Sequence, residues 1–597
     1  MKLITFFASL VVSTSALGQE SPAPPPLLCV DQTCTASPVS TGYEFPTGPT
    51  AASAEALKAV PTFHNVSLYW NEPTGSGSNE ALVRFRQVGT GTWRQGLSLW
   101  FDPRTAGTGA GQVPYGFQEY RGSLVQLESN TTYELEVLTA GSRKLASTLV
   151  TTWNESLPIG TTVTLPTSSN STLNINQSGT ASGYRLYTFA PGGTATIDGR
   201  NSVDNLVVIS GSYVILRGLT LKNARRTGVL LTRSAHHVVI EDNDIFNFGS
   251  EDPNDPGFAC NGGAGISSEN AFWPTNQAMQ QLVIQNNKIH HPSFDSNSWE
   301  EQRTKGTACG PGGDALHPAG AAAILLKDTG GNHVIRYNEI YSDLTHMFDD
   351  AITGGQNFSF NGNLRRDSDI YGNTVSHVWD DAIQTEGANR NVRVYGNYIE
   401  QSMVAIAAAP VSIGPLYVFR NVATKGIRSA DKLNGYGWFW KTRNKSVDGT
   451  IAGIHIGGGR TYIFHNTLYR TSTSDSVNQM LSLDDISLVN VIGRNNIINA
   501  KSQIASKFTP MSDSSFDKDL YSAGHSNWAL EEKQGIEANP VYDSAHTSGK
   551  YTLKQGSPGQ DAGTVLPNFS DKFSGSAPDM GAQENGALPM RFGKRNL

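Results

Sequence analysis

One phrase occurs twice in the sequence, as THMFDDAI at residues 345–352 and as SHVWDDAI at residues 376–383. Asp349 and Asp380 occupy the same place in the two copies and lie 31 residues apart. A repeat at such a spacing is typical of neighbouring turns of a solenoid. Because stacked strands lie about 4.8 Å apart, we expect the side chains of the two copies to be neighbours in space.

The sequence around this phrase contains many short strand patterns that end in an asparagine turn. Alternating apolar positions predict strands, and asparagine suits the turn because it tolerates left-handed torsions and can form side-chain ladders between coils. Spacings of about 22 to 30 residues, where no loop intervenes, predict a parallel β-helix over residues 160–585. A β-propeller would need hairpin turns, whose signals are missing. The strand patterns lie at residues 238–245, 282–289, 334–340, 370–375, 392–399, 462–468 and 491–498.

Residues 55–155 have a different pattern, in which short alternating strands are separated by clusters of turn residues. Strands of this kind over about 100 residues predict a β-sandwich. The phrase LESNTTYEL at residues 127–135 resembles the corner of fibronectin type III modules. That resemblance implies a spacer or docking module rather than a catalyst.

The N-terminal residues predict export from the cell. Residues 1–18 combine an early lysine, a short apolar core and small residues at the end, as in a cleaved signal peptide. Residues 19–54 are rich in Pro, Ser and Thr and predict a linker. No window reaches the roughly 20 apolar residues of a membrane span. We therefore expect a secreted, extracellular protein without a membrane partner.

The composition favours a neutral or weakly charged ligand. Hydrophobic residues make up 38% of the chain, charged residues 16%, and the formal net charge is −7. Without a basic run, nucleic acid is disfavoured as a partner. We expect a monomer that acts on a polysaccharide or an oligosaccharide.

Cysteines and asparagine sequons fit the secretory route. Four cysteines in an exported chain predict two disulfides, Cys29 with Cys34 and Cys260 with Cys309. Cys29 and Cys34 would close a small loop within the linker. Sequons predict a glycoprotein; they stand at Asn65, Asn130, Asn154, Asn170, Asn176, Asn357, Asn444 and Asn568.

The doubled phrase also predicts an acidic groove. If the isoleucine of each coil points inward, alternation along the strand sends one column of side chains outward. Asp349 and Asp380 would lie upstream of that column, on a floor of small residues. The residues expected to contact substrate there are Glu269, Lys327, Trp379, Gln384 and Glu386.

Two close carboxyl groups can share a proton, which raises the pKa of one of them and provides a general acid near neutral pH. Glycosidic cleavage needs such an acid and a second carboxylate as nucleophile or base. The predicted catalytic residues are Asp349, Asp350, Asp380 and Asp381, with His346 and His377 as tuning or relay groups. In the alternative interpretation, Asp350 and Asp381 point inward and cap turns. Retaining and inverting geometries both stay open.

The β-helix, the paired aspartates and the closing segment together resemble secreted carbohydrate-active enzymes with a right-handed parallel β-helix. The closing segment runs from YTLKQGSP at residues 551–558 to DMGAQE at residues 579–584. The class includes polygalacturonase-like hydrolases and pectate- or alginate-lyase-like enzymes. The fold class implied is all-β, a right-handed parallel β-helix preceded by a small β-sandwich.

This resemblance implies a glycoside hydrolase that needs no cofactor. One alternative is a calcium-assisted polysaccharide lyase, with Lys327 or Arg393 as base and with Glu269 and Glu386 at the calcium ion. Another is a noncatalytic solenoid that only binds glycans. His317 lies in a glycine-rich loop that the sequence does not place.

Overall fold

The computed structural model describes most of the chain from the β-sandwich to the C-terminus, and no helix long and apolar enough to span a membrane occurs in the part described. The described residues are 27–30, 33–36, 57–72, 75–105, 118–249, 263–269, 278–299, 317–327, 329–354, 360, 362–408, 410–427, 437–442, 450–451, 454–455, 458–469, 477–483, 487–499, 509–510, 514–522, 532–543 and 551–595.

A short hairpin precedes the β-sandwich. Its strands, β1 (Leu27–Val30) and β2 (Thr33–Ala36), are antiparallel, and their register makes Cys29 and Cys34 direct partners. This register fits the predicted disulfide, which stays a prediction. The predicted signal peptide and Cys260 and Cys309 lie outside the described residues.

Seven antiparallel strands then form a small domain around one apolar core. Their order is β3-β4-β7-β6-β5-β8-β9, in which β6 pairs with β5 near its start and with β7 near its end. Trp70, Phe85 and Leu135 lie in its core. The strands are β3 (Lys58–Pro61), β4 (Val66–Trp70), β5 (Ala81–Gln87), β6 (Arg94–Asp102), β7 (Glu119–Leu124), β8 (Thr132–Leu138) and β9 (Lys144–Thr151).

The rest of the chain winds into a parallel β-helix, which confirms the predicted fold class. Its strands are β10 (Ile159–Thr164), β11 (Ser168–Ser169), β12 (Leu173–Ile175), β13 (Tyr184–Thr188), β14 (Thr196–Asp198), β15 (Asn205–Ile209), β16 (Val214–Arg217), β17 (Thr220–Ala224), β18 (Thr227–Leu231), β19 (Val238–Glu241), β20 (Asp244–Phe248), β21 (Ala264–Ser268), β22 (Val283–Gln285), β23 (Lys288–His290), β24 (Ala322–Leu325), β25 (Val334–Arg336), β26 (Glu339–Tyr341), β27 (Ile352–Thr353), β28 (Asp369–Tyr371), β29 (Thr374–Gln384), β30 (Val392–Tyr395), β31 (Tyr398–Ala408), β32 (Leu416–Phe419), β33 (Val422–Thr424), β34 (Gly437–Thr442), β35 (Thr450–Ile451), β36 (Ile454–His455), β37 (Thr461–Phe464), β38 (Thr467–Leu468), β39 (Val477–Leu483), β40 (Ser487–Leu488), β41 (Val491–Arg494), β42 (Ile497–Ile498), β43 (Thr509–Pro510), β44 (Ser515–Asp517), β45 (Leu520–Tyr521) and β46 (Ile536–Glu537).

Two long parallel sheets form the walls of this helix. One sheet has 12 strands, from β10 to β44, and the other has 21 strands, from β11 to β46. Inward-facing Val, Leu and Ile side chains from successive coils form one continuous core, in which Ile324, Ile352 and Ile383 are fully buried. Near the end of the chain, Leu553 and Met580 pack against the last coils.

An asparagine ladder fixes the turn between the two sheets. In each coil the side-chain NH₂ and the backbone N–H of one asparagine both donate to the side-chain oxygen of the next, with side-chain distances of 2.9–3.1 Å. This confirms the ladder expected from the sequence. Its members are Asn243, Asn287, Asn338, Asn373, Asn397, Asn421, Asn466, Asn496 and, at the end, Asp519.

The left-handed residue of this turn is the one before the ladder asparagine. Positive φ angles occur at Asp242, Tyr337, Gly372 and Arg420, among others, and at none of the ladder asparagines. The expectation that the recurrent asparagine itself adopts the left-handed conformation is therefore wrong. Asparagine is needed at this position because its amide is both donor and acceptor.

Burial contradicts two of the predicted glycosylation sites. Asn65 and Asn568 are fully buried. The Asn65 amide nitrogen donates to Asp369 at 2.9 Å, and that of Asn568 donates to the Val125 carbonyl at 2.7 Å. Neither nitrogen can carry a glycan in this fold. Four other sequons are exposed and stay predictions, at Asn130, Asn154, Asn170 and Asn176; Asn357 and Asn444 lie outside the described residues.

Candidate active site

The two copies of the doubled phrase lie side by side on successive coils. The backbone N–H of Asp380 donates to the Asp349 carbonyl at 3.0 Å, and the N–H of Ala351 donates to the Asp381 carbonyl at 3.1 Å. Asp349 and Asp350 precede β27, whereas Asp380 and Asp381 lie within β29. The repeat therefore brings all four aspartates to one place.

A β-bulge determines where these aspartates point. Ile352 pairs with Ile383, but Phe348 pairs with Val378, so the second copy contains one extra residue between these pairs. Pairing of β29 with β31 is also irregular between Val378 and Asp381. A bulge of this kind redirects side chains.

Both second aspartates are therefore found outside the helix core. Ala351 and Ala382 fill the core together with the isoleucines. The carboxyl group of Asp350 meets Thr353, and that of Asp381 meets Lys441. The alternative in which Asp350 and Asp381 point inward is wrong, because it assumed unbroken alternation along the strand.

The carboxyl groups form a compact cluster. One oxygen each of Asp350, Asp380 and Asp381 lie within 4.8 Å of one another, and the same holds for one ligand atom each of Asp349, Asp380 and His317. Asp380 belongs to both groups and is central. Groups this close favour sharing of protons or pairing with a cation.

Lys441 supplies that cation. Its ammonium nitrogen lies 2.8 Å from Asp381 and 3.7 Å from Asp380. Lys441 pairs with Ala407 on β31, which in turn pairs with Gln384 on β29. Because alanine is small, the lysine side chain can cross this coil to the carboxylates. The sequence did not single out Lys441, because it lies outside the doubled phrase.

Charge and burial together control the pKa values of this cluster. Burial disfavours the Lys441 ammonium, but Asp380, Asp381 and Glu386 outweigh that effect and raise its pKa well above the ordinary value. Burial, followed by the charge of Asp380, raises the pKa of Asp381 well above its ordinary value. Asp381 therefore holds a proton to a higher pH than an ordinary aspartate does, while Lys441 stays charged.

Asp350 is the second carboxyl group of the cluster whose pKa is raised. Burial and the charge of Asp380 raise its pKa to about 6. The Thr353 hydroxyl lies within hydrogen-bonding distance of the Gln384 side-chain oxygen and of Asp350 Oδ2, the latter at 3.1 Å. Asp350 Oδ1 accepts the Asp381 backbone N–H at 3.0 Å.

His317 borders the other side of Asp380. Its Nδ1 lies 2.7 Å from the Pro318 carbonyl, so this nitrogen carries hydrogen and donates to that carbonyl. Nε2 lies 4.0 Å from Asp380 Oδ2. Trp299 packs against the His317 ring at 4.6 Å between centroids. The sequence could not place this loop, because no periodic pattern connects it to a coil.

The residues predicted to contact substrate divide into two groups. Gln384 and Glu386 belong to the site: Gln384 holds Thr353, and the buried Glu386 acts on Lys441 through its charge. Lys327 and Glu269 lie on earlier coils. The Lys327 backbone is bonded to Ser268, and the exposed Glu269 accepts the Arg233 backbone N–H at 3.0 Å.

Trp379, His346 and His377 lie apart from the carboxylates. Trp379 is 1% exposed and packs with Met347 and Ile427, so its ring cannot form a stacking wall for a sugar. His346 contacts Asp343 at 3.1 Å. His377 contacts Ser376 at 2.9 Å.

Calcium does not fit this cluster. The Lys441 ammonium already occupies the convergence of Asp380 and Asp381, and a divalent ion there would be repelled by it. The second group includes the His317 nitrogen, whereas calcium takes oxygen ligands. Arg393, a base in the lyase alternative, is buried in an ion pair with Asp369 on the other sheet.

Comparison with known proteins finds only distant likenesses. No protein-family model matches the chain, and no curated protein matches it. Among solved structures, pectate lyase Pel9A matches 72% of this chain and 86% of its own, at 13% identity and a TM-score of 0.37. The catalytic unit of a thermostable GH87 alpha-1,3-glucanase from Streptomyces thermodiastaticus strain HF3-3 matches 78% of this chain and 82% of its own, at 12% identity and a TM-score of 0.26. Both are too distant to assign a function.

Proposed function

We propose that this protein is a glycoside hydrolase that cleaves a polysaccharide or an oligosaccharide with two aspartates from successive coils. The observation that supports the proposal is the pair Asp350 and Asp380, whose carboxyl oxygens lie within 4.8 Å of each other. One of the two has a pKa raised to about 6. Glycosidic cleavage requires one protonated and one ionised carboxyl group in this relation.

In this proposal Asp350 is the general acid and Asp380 is the nucleophile. Asp350 holds its proton up to a pH of about 6, as its raised pKa implies, and transfers it to the leaving glycosidic oxygen. Asp380, which lies 3.7 Å from the Lys441 ammonium, attacks the anomeric carbon as a carboxylate. Water then releases the sugar while Asp350, now ionised, accepts its proton.

The short separation predicts retention of configuration. Retaining enzymes hold their carboxyl groups about 5 Å apart, whereas inverting enzymes need about 6.5–9.5 Å to admit a water molecule. Asp381 and His317 are positioning groups in this scheme. Asp381 anchors Lys441, and His317 borders Asp380, with Nε2 at 4.0 Å from Asp380 Oδ2.

The lyase alternative is weaker because neither of its candidate bases, Lys327 and Arg393, lies at the acid cluster. A lyase base must be neutral before it removes a proton from the substrate, but the surrounding carboxylates raise the pKa of Lys441. We further propose that the enzyme acts outside the cell as a monomer, which accords with the N-terminal residues and low charge of the chain.

A screen of plant, fungal and algal polysaccharides tests the proposal. We expect new reducing ends without the ultraviolet absorbance of an unsaturated uronate, and we expect chelators to have no effect. Proton NMR can identify the anomer that is released first. We expect this anomer to have the same configuration as the substrate. An unsaturated product that chelator abolishes would favour the lyase, and glycan retention without any product would favour the binding solenoid.

A further inference from the structure

A pocket separate from the acid cluster lies between the β-sandwich and the β-helix. It has a volume of about 510 Å³, which is within the usual range of ligand pockets, about 300–1,000 Å³. Its helix wall belongs to the 12-stranded sheet, whereas the acid cluster lies on the 21-stranded sheet. The polar and aromatic side chains that face it include Glu80, Ser98, Trp100, Arg460, Tyr462 and Asn490.

The aromatic part of this pocket is rigid. Two guanidinium groups lie near the half-buried Trp100, with Arg121 at 5.0 Å and Arg460 at 5.8 Å from its ring centroid. Arg121 is fully buried and paired with Asp102 and Glu119. The indole is therefore held by one domain while Arg460 approaches it from the other.

The polar rim is also fixed before any ligand arrives. The Tyr120 hydroxyl lies 3.0 Å from the Ser76 carbonyl and 2.9 Å from the Asn79 carbonyl, which anchors the loop that leads to Glu80. Glu80 accepts the Ser98 hydroxyl at 3.1 Å, and the Asn490 amide donates to the Gly458 carbonyl at 2.7 Å. A site ordered in advance loses less free energy on binding.

We propose that this pocket is a noncatalytic oligosaccharide-binding site that holds the polymer while the acid cluster cleaves it. An indole beside guanidinium, carboxylate and amide groups offers a sugar one apolar surface and several hydrogen-bonding partners. Few aliphatic side chains line the pocket, which argues against a lipid or an apolar peptide. The choice of a sugar ligand rests on the proposed hydrolase function.

Calorimetric titration of the full chain tests this site. The chain carries Asp380→Asn to prevent turnover, and the probes are cellotriose, maltotriose and trigalacturonate. We expect at least one probe to bind, and Trp100→Ala and Arg460→Met each to weaken that binding by about tenfold or more. Ser98→Trp provides a further test in case Trp100→Ala fails to fold. It fills the pocket without removing a side chain that packs in the core, and it should also weaken binding.

The matched control is Trp93→Ala. Trp93 lies in the same domain and stacks with Arg84 and Arg86 at 4.4 Å each, but it is not among the residues that line the pocket. Its variant should bind as tightly as the parent. The proposal is overturned if no probe binds, or if binding persists in Trp100→Ala, Arg460→Met and Ser98→Trp. Cleavage of soluble trisaccharide by chains that keep Asp380 reports separately on the hydrolase function.

Discussion

At the scale of single residues, Lys441 is the group on which the site depends. It neutralises Asp380 and Asp381 in a place where water is largely excluded, since its side chain is only 14% exposed. Removal of one partner from a buried ion pair leaves an uncompensated charge, which costs about 3–5 kcal/mol. Here the carboxyl groups can take up protons instead and reduce that cost.

We therefore expect Lys441→Met to shift the acidic limb of the pH–rate profile upward and to lower the free energy of unfolding at neutral pH by about 2 kcal/mol. Lys425→Met is the control. Lys425 also pairs with a carboxylate, Glu400 at 2.9 Å, but it is 45% exposed, so its loss should cost less than about 1 kcal/mol. Equal effects of the two variants would contradict the role given to Lys441.

The raised pKa of Asp350 leads to a prediction about how stability depends on pH. Its pKa of about 6 in the folded chain is above the ordinary 3.8, so folding favours the protonated form. That contribution is complete below pH 3.8 and is lost as pH rises through about 6. Because the proposed catalysis needs protonated Asp350, the rate should also decline as pH rises through about 6.

Asp350→Asn removes this ionisation while keeping an oxygen for the Asp381 N–H. We expect the variant to match the parent protein in stability near pH 4 and to exceed it by about 1–3 kcal/mol at pH 7. Urea unfolding at the two pH values measures the difference. A variant less stable than the parent at pH 7 would show that Asp350 is chiefly a structural acceptor.

At the scale of elements, the asparagine ladder stabilises the turns between the two sheets. Asn397 accepts from both nitrogens of Asn373 and donates to Asn421 at 2.9 Å and to the Ile370 carbonyl at 3.0 Å. Asn397→Ala would leave several buried groups without partners, at about 1–3 kcal/mol for each group not rescued by water.

We expect Asn397→Ala to lower the free energy of unfolding by about 2–4 kcal/mol while the variant keeps its rate at low temperature. Asn170→Ala, at an exposed position, should change stability by less than about 0.5 kcal/mol. Chemical denaturation compares the two. An unstable Asn170→Ala or a fully stable Asn397→Ala would argue against the ladder as a stabilising element.

The strands and turns could be predicted because both follow local periodic patterns. The bulge between Val378 and Asp381 could not, since the two copies of the phrase have the same length and the sequence does not mark the extra residue. That bulge removes Trp379 from the site and turns Asp381 toward Lys441. The doubled phrase correctly predicted which acids meet, whereas Lys441 and His317 come from distant segments that only the fold brings together.

At the scale of the whole molecule, the β-sandwich and the β-helix share a buried polar interface. Asp369 of the β-helix accepts Thr62 and Asn65 of the sandwich at 2.5 and 2.9 Å and pairs with Arg393. Arg393 also donates to Ser67 at 2.8 Å. Such a network couples the two domains.

We expect one cooperative unfolding transition for both domains by calorimetry, and Arg393→Met to destabilise it by about 3–5 kcal/mol because Asp369 loses its cation. Arg94→Met, at a part-exposed pair with Asp571 across the same domains, serves as control with an expected cost below about 1 kcal/mol. Two separate transitions in the unmodified protein would contradict this coupling.

The most direct test of the acid cluster is the single-turnover rate of Asp380→Asn and Asp350→Asn on the polysaccharide found in the screen. Both rates should fall by about 10²–10⁴ or more, with substrate affinity retained, whereas Asp343→Asn, at an exposed aspartate between β26 and β27, should keep the parent rate. Undiminished cleavage by Asp380→Asn would contradict the account.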